Sequence, residues 1–219
     1  MGSPAATLRP VTHSTLILLV RHGQTPTTGT VLPGRAPGLH LSERGRAQAD
    51  AVAERLSGLP VQAIYSSPLE RARETAEPAA AGSGLAVQED AGLLECDFGD
   101  WTGAALAGLT GLPEWQTVQH NPSAFRFPNG ESFTEMQARM VGTLENLRAA
   151  HPGAVVVCFS HADPIKAAVA HALGTHLDLF QRILISPASV SAISYVDGQA
   201  PAVLTVNSMS EPLSGLRAP

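Results

Sequence analysis

Five residues able to bind or react with an anion follow apolar segments of this 219-residue sequence. Arg21 and His22 come directly after "LILLV", Arg71 follows "QAIYSS", Glu95 stands in "LLECDFGDW", and His161 follows "VVVCFS". The planar guanidinium fork of arginine matches phosphate geometry, and histidine and glutamate transfer protons. Each residue alone is commonly structural, but their joint position after apolar segments indicates one shared site.

The segments that position these residues are predicted from hydrophobic periodicity. The predicted strands are "STLILLV", "VQAIYSS", "LAVQED", "AVVVCFS", "RILIS", "SVSAISYVDG" and "PAVLTVNS". The predicted helices are "LSERGRAQADAVAERLSG", "PLERARETAEPAAAG", "ESFTEMQARMVGTLENLRAAHPG" and "ADPIKAAVAHALG". Ser42 is the expected N-cap of the first helix, and the second is expected to have Pro68 at its first position and to end at Gly82. The last two strands predict a hairpin around Asp197-Gly198.

This alternation of strands and helices predicts an α/β fold, a three-layer α/β/α sandwich with a mostly parallel central sheet. Ligands in such folds bind beyond the carboxyl ends of the strands, so we expect the five residues to converge there. We predict one domain over residues 15–207, with flexible tails at 1–14 and 208–219. Residues 104–130 are rich in Gly, Pro and Asn, and we interpret them as an insert that forms a lid.

Composition and charge narrow the classes of partner. The chain carries 14 Lys and Arg against 19 Asp and Glu, a net charge of −5, so neither nucleic acid nor an anionic membrane is an expected partner. No apolar run reaches the ~20 residues of a membrane span. Cys96 and Cys158 form no CxxC pair and are interpreted as reduced thiols, which favours a cytoplasmic location.

Four separated blocks of the chain resemble the histidine phosphatase superfamily, the phosphoglycerate mutase-like proteins. They are "LLVRHGQT", "IYSSPLERARETA", "LLECDFGDWTG" and "VVCFSHADPI", and the similarity runs from about residue 16 to about residue 206 in the order and spacing of the family. The chain departs from the family pattern where "SHAD" replaces the usual "SHG". We expect Asp163 in this block to be a helix N-terminal residue.

The resemblance implies a role for each of the five residues. His22 would be the nucleophile that takes the phosphoryl group, Arg21, Arg71 and His161 would bind its oxygens, and Glu95 would be the proton donor. The substrate-binding positions that we add are Gln24, Thr25, Thr28 and Arg35. No metal motif is recognisable, and we expect neither a metal nor another cofactor.

Three functions remain open at this point. The segment between Cys96 and Glu135 is mainly apolar and contains, besides histidine, one basic residue, Arg126, whereas mutases of the family carry an arginine-rich insertion there. We therefore favour hydrolysis of a small phosphate monoester, with phosphoglycerate mutase-type transfer and non-catalytic phosphoester binding as the alternatives. The edge strands leave room for a homodimer.

Overall fold

A six-stranded sheet forms the centre of the molecule in the computed structural model, which describes residues 14–210, 213 and 216. The strands are β1 (Ser14–Arg21), β2 (Val61–Ser66), β3 (Val87–Glu89), β4 (Val155–Ser160), β5 (Val190–Val196) and β6 (Ala202–Ser208). Their order in the sheet is β3-β2-β4-β1-β5-β6. The pairs β3–β2, β2–β4 and β4–β1 are parallel, whereas β5 runs antiparallel to both β1 and β6. The predicted mostly parallel sheet is confirmed.

Helices cover both faces of this sheet. The α-helices of the described residues are α1 (Glu43–Leu56), α2 (Glu70–Ser83), α3 (Leu106–Leu109), α4 (Pro113–His120), α5 (Phe133–Ala150) and α6 (Ala162–Ala172). The apolar sides of α1 and α2 pack on one face, against Leu18 and Val157 among others, and those of α5 and α6 pack on the other, against Ile17 and Val156. The result is the expected three-layer sandwich, in which β1 is buried on both faces and is therefore almost wholly apolar.

Local sequence signals fix where these helices begin and end. Ser42 caps α1 by accepting a hydrogen bond from the backbone N–H of Gly45, as predicted. Ser132 and Glu135 form a reciprocal capping box at the start of α5. The predicted bounds of α2 are wrong by about two residues: it begins at Glu70, beyond Pro68, and passes through Gly82 to end at Gly84, which adopts the left-handed conformation with φ 70°.

The segment "RILIS" is not a strand, contrary to the sequence prediction. A 3₁₀ helix spans Leu177–Arg182, and residues 183–186 lie outside the sheet. This segment does not pair with β1, because both sides of β1 are already paired, by β4 and β5. Ile185 lies against the candidate site described below, and Leu184 is 71% exposed at its rim.

The other predictions concern the ends, the insert and the thiols. Residues 1–13 of the predicted N-terminal tail lie outside the described residues, while Leu213 of the predicted C-terminal tail is buried against the core. The insert at 104–130 contains α3, α4 and a 3₁₀ turn at Pro122–Ala124. Cys96 and Cys158 are buried free thiols. In the described ranges, no helix combines the length and the apolar composition needed to cross a bilayer.

Candidate active site

The pairing of β1 with β4 brings the two histidine blocks together. Arg21 is the register partner of Ser160, and the backbone N–H of His22 donates to the carbonyl of Ser160 over 2.9 Å. Because the two strands are parallel neighbours, the residues that follow them leave the sheet at the same edge. The imidazole rings of His22 and His161 consequently lie with their centroids 5.2 Å apart.

His22 is held as a neutral imidazole with a defined tautomer. Its Nδ1 atom lies 2.7 Å from the carbonyl oxygen of Gly23. A carbonyl oxygen only accepts, so Nδ1 carries the proton and Nε2 carries the lone pair. Burial lowers the pKa of His22 well below its usual value, and the positive charges of Arg71 and Arg21 lower it further. Nε2 is thus available as a nucleophile.

The backbone after β1 is packed against the start of α1 so closely that only glycine fits. A Cβ atom at Gly23 would stand 2.6 Å from the carbonyl oxygen of Gly45, and one at Gly45 would stand 2.0 Å from that of Gln24. The N–H of Gly23 also donates to the hydroxyl of Thr75 on α2 over 3.0 Å. These contacts hold His22 between two helices.

Two buried guanidinium groups reach the same region. Arg71, on the first turn of α2, is fully buried and donates from Nη2 to the carbonyl of Gly34 over 2.8 Å. Arg21 donates from Nη1 to the carbonyl of Ile185 over 2.7 Å. Among the described residues, Nε and Nη1 of Arg71 and Nε of Arg21 have no hydrogen-bond partner. Buried N–H donors are costly to leave unpaired, so these groups fit an anion as their partner.

His161 presents a further donor. Its Nε2 atom lies 2.8 Å from the hydroxyl oxygen of Ser67, which itself accepts from the N–H of Leu69 over 3.4 Å. Within the described part of the chain, Nε2 is the acceptor found for the hydroxyl proton of Ser67, so Ser67 donates and Nδ1 of His161 bears the ring proton. That buried N–H also lacks a partner there. Burial and Arg71 lower the pKa of His161 well below its usual value.

Glu95 holds a proton near neutral pH. Burial, and secondarily the negative charge of Asp163, raise its pKa to about 7, although Arg71 and Arg21 oppose the shift. Its Oε1 accepts from the backbone N–H of Cys96 over 2.9 Å. The Glu95 carbonyl accepts from Nε of Arg35 over 2.8 Å, and Glu131 bonds both Arg35 and Arg139, which fixes the loop. A carboxyl group in this environment can both donate and accept a proton.

A cavity of about 380 Å³ opens onto these groups. Arg21, His22 and Glu95 lie on its wall, whereas Arg71 and His161 are fully buried. Its apolar side chains come largely from the insert and from the loop after β1, and they include Leu32, Leu106, Trp115, Val118, Phe127 and Phe133. The polar side chains of the wall include those of Gln119, Asp163, Lys166 and Gln181. The cavity can therefore hold a phosphate group together with a larger apolar portion of a ligand.

The four added binding positions divide into two pairs. Thr25 and Thr28 line the cavity, and their hydroxyl oxygens are 3.0 Å apart. Gln24 faces a different depression, beside Arg44 and Gln48, and its N–H donates to Oε1 of Gln48 over 2.9 Å. Arg35 supports the Glu95 loop instead of lining the cavity, because its guanidinium group is bonded to Glu131 and to the Glu95 carbonyl. Thr25 and Thr28 therefore belong to the wall of the cavity, and Gln24 and Arg35 do not.

Sequence reasoning missed other residues of the site. Ser67 follows β2 in the same way that His22 follows β1, so the strand-end rule itself would have found it. Lys166 and Gln181 carry no local signal, since the approach of α6 to the 3₁₀ helix Leu177–Arg182 brings them together. Asp163, predicted to be a helix N-terminal residue, is one, and it also lines the cavity.

A family model described as the histidine phosphatase superfamily (branch 1) matches residues 17–208, and the chain belongs to this superfamily. Phosphoserine phosphatase 1 of Hydrogenobacter thermophilus is 34% identical over 182 residues, which are 81% of this chain and 85% of that relative. A probable phosphoglycerate mutase, GpmB of Cronobacter sakazakii, is 32% identical over 82% of this chain and 84% of its own length.

A solved structure shows the same fold. The mycobacterial glucosyl-3-phosphoglycerate phosphatase Rv2419c superposes with a TM-score of 0.81 at 27% identity, over 89% of this chain and 99% of that one. The predicted family, the phosphoglycerate mutase-like fold and the assignment as a phosphatase enzyme are confirmed.

Proposed function

We propose that this protein is a metal-independent phosphomonoesterase that hydrolyses a small phosphate ester through a phosphohistidine on His22. The observation that carries the proposal is the set of buried N–H groups of Arg21, Arg71 and His161 that have no partner among the described residues, beside a neutral His22. Phosphoryl transfer is mainly a matter of positioning and of neutralising charge on the equatorial oxygens. The two guanidinium groups and the His161 N–H supply that neutralisation.

In the first step, the lone pair on Nε2 of His22 forms a bond to phosphorus as the bond from phosphorus to the ester oxygen breaks. Glu95 gives its proton to the departing oxygen, which leaves as a neutral alcohol. In the second step, Glu95 takes a proton from water as the water oxygen bonds to phosphorus. The phosphorus–nitrogen bond then breaks and its electron pair returns to Nε2, which restores the free enzyme.

Hydrolysis is favoured over mutase-type transfer by the charges of the cavity. A mutase must retain a substrate carboxylate and a bisphosphate, which calls for several cations. The described cavity wall carries Arg21 and, away from the phosphate-binding groups, Lys166, whose ammonium group lies 3.0 Å from a carboxylate oxygen of Asp163. Mutase-type transfer is retained as the alternative because one relative is named as a probable phosphoglycerate mutase.

The test is phosphate release from 4-nitrophenyl phosphate in the presence of EDTA, together with trapping of the phosphoenzyme by rapid denaturation. We expect turnover and a phosphoprotein that is labile in acid and stable in alkali. Interconversion of 2- and 3-phosphoglycerate faster than phosphate release would favour the mutase. Tight binding of vanadate without any turnover would favour a binding protein.

A further inference from the structure

The polar wall of the cavity is built around one ion pair. Nζ of Lys166 lies 3.0 Å from Oδ1 of Asp163, one turn earlier on α6, and 3.0 Å from Oε1 of Gln181 on the neighbouring 3₁₀ helix. The side chains of Asp163 and Lys166 are only 17% and 16% exposed. The ammonium group also lies 5.7 Å from the centre of the Phe180 ring. Lys166 is thus anchored on three sides.

The charges of the described cavity wall fall into two groups. Arg21 and Glu95 belong, under the proposed function, to phosphate binding and to proton transfer. Away from these, the charged side chains on the wall are those of Asp163 and Lys166, and they neutralise each other. Lys166 therefore offers no net positive charge to a second anionic group of a substrate.

Apolar side chains surround the rest of the space in which the alcohol portion of an ester would lie. Trp115 stacks on Trp101, Phe127 packs edge to face with Phe125 and Phe133, and Trp115, Phe127 and Phe133 all contribute to the cavity wall. A carboxylate placed there would lose its water without gaining a free cation, because the positive charge of Lys166 is already paired with Asp163.

We propose that Asp163 is a specificity-determining residue: its ion pair with Lys166 makes the leaving-group side of the cavity neutral, so that the enzyme accepts phosphate esters of uncharged, largely apolar alcohols or phenols and rejects those carrying a carboxylate. This inference rests on the proposed function and adds the class of substrate to it. On this inference, phosphate esters that carry a carboxylate, such as phosphoserine, are poor substrates of this protein.

The test compares two esters that differ in one charge, 4-methylphenyl phosphate and 4-carboxyphenyl phosphate, by kcat/KM from phosphate release. The para carboxylate makes its phenol the more acidic leaving group of the two, so a preference for 4-methylphenyl phosphate cannot arise from leaving-group acidity. Both esters leave as phenols, so a change in proton donation by Glu95 affects both and largely cancels when the ratio of a variant is compared with that of the wild type. We expect the wild type to prefer 4-methylphenyl phosphate by about 10-fold or more, because the carboxylate of the other ester is desolvated without a free cation to pair with.

Two variants shift this ratio in opposite directions. Asp163→Asn releases the ammonium group of Lys166 and should reduce the preference for 4-methylphenyl phosphate by about 10-fold. Adding Lys166→Met to this variant should remove that effect. Lys166→Met alone leaves Asp163 unneutralised and should increase the preference. Glu114→Gln, which removes an exposed negative charge from α4 outside the cavity wall, is the matched control and should leave the ratio unchanged.

Each outcome decides between the two proposals. If the folded wild type hydrolyses neither ester, the proposed function fails, and this inference fails with it. If it hydrolyses both with equal efficiency, or prefers the carboxylate, the inference alone is wrong. A ratio that stays constant in both Asp163→Asn and Lys166→Met, with thermal unfolding showing folded proteins, would also overturn it.

Discussion

The imidazole rings of His22 and His161 lie 5.2 Å apart at an interplanar angle of 59°, although 139 positions separate them in the chain. Burial and the positive charges of Arg71 and Arg21 lower the pKa of both rings well below the usual value. Two imidazoles can be this close to two guanidinium groups because both rings stay neutral. Their hydrogen bonds differ: His22 bonds a carbonyl through Nδ1, which leaves Nε2 for the role of nucleophile in the proposed function. Nδ1–H of His161 has no partner among the described residues, and in the same proposal it donates to the phosphate.

Replacement of the two histidines should therefore have different consequences. His22→Ala removes the nucleophile, so we expect loss of the phosphoenzyme and a fall in kcat of about 10³-fold or more. His161→Ala removes a donor to the phosphate, and some phosphoenzyme should still form. Rapid-quench labelling from a phosphate ester measures both. His171→Ala, on an exposed position of α6, is the control and should behave as the wild type. Equal labelling of His22→Ala and wild type would exclude His22 as the phosphorylated residue.

Glu95→Gln tests the proton donor. Without an acid, an alkyl leaving group departs as an alkoxide, while nitrophenolate leaves readily without a proton. We expect kcat for alkyl phosphates to fall about 10²–10⁴-fold and kcat for 4-nitrophenyl phosphate to fall much less. Steady-state rates over a series of leaving groups measure the difference. The same loss for every leaving group would mean that Glu95 acts in another way.

The pH dependence of the first step follows from the same residue. Glu95 must be protonated to act as an acid, and its pKa is raised to about 7, so the rate of phosphoenzyme formation should decline as the pH rises through about 7. The pKa of His22 is well below its usual value, so its neutral form persists into mildly acidic solution. We expect an optimum on the acidic side of neutrality, read from single-turnover rates with an alkyl ester.

The substitution Asp163→Asn tests the effect of the Asp163 charge on the pKa of Glu95. The negative charge of Asp163 is the second cause of the raised pKa of Glu95, after burial, so its removal should move the alkaline limb toward lower pH. Glu114→Gln again supplies the control. An unchanged limb in Asp163→Asn would mean that the two carboxylates do not interact.

The sequence was sufficient for the parts of the site that follow a strand. Arg21, His22 and His161 come directly after β1 and β4, and the fixed geometry of parallel strands places such residues together. The support that Arg35 gives to the Glu95 loop was not predicted, because its partners, Glu131 and the Glu95 carbonyl, are remote in the chain. Lys166 and Gln181 were missed for the same reason. Helical periodicity says which face of α6 is buried, but not which segment packs beside it.

The segment "RILIS" shows a related limit. Short apolar runs satisfy the pattern of a strand and equally that of a loop whose apolar residues line a cavity. The sequence pattern does not separate the two, and in the structure this segment lies outside the sheet. The backbone of this loop is used instead by the site, since the Ile185 carbonyl accepts a hydrogen bond from Arg21.

Ser67 should matter for catalysis through His161 alone. Ser67→Ala removes the hydroxyl that donates to Nε2, so His161 can adopt the other tautomer and lose the N–H that faces the phosphate. We expect about a 10-fold fall in kcat/KM and weaker protection by vanadate, together with a loss of about 1–3 kcal/mol in the free energy of unfolding because a buried hydrogen bond is lost. Ser66→Ala, the neighbouring buried serine, is the control because its hydroxyl bonds the Ser67 carbonyl and not the histidine. Equal activity of the two variants would argue against this role.

The close approach of α1 to the His22 loop makes a prediction for stability. A Cβ atom at Gly45 would stand 2.0 Å from the Gln24 carbonyl oxygen, which is backbone and cannot rotate away. Gly45→Ala should therefore push α1 from the loop and reduce the free energy of unfolding by about 1–3 kcal/mol. Because Gly23 contacts Gly45, the shift should also displace His22 and lower the rate of phosphoenzyme formation. Urea unfolding and rapid-quench labelling measure the two effects.

Gly82→Ala in α2 is the matched control for this variant. Apart from its chain neighbours and the backbone of its own helix, no atom of the described residues lies within 4 Å of a Cβ built at Gly82, and its φ is not positive. The same substitution should therefore stabilise the helix by about 0.5–1 kcal/mol. Opposite signs of the two changes in unfolding free energy would show that the backbone contact, and not helix propensity, governs Gly45. If Gly45→Ala were as stable and as active as Gly82→Ala, the packing of α1 would have no part in positioning His22.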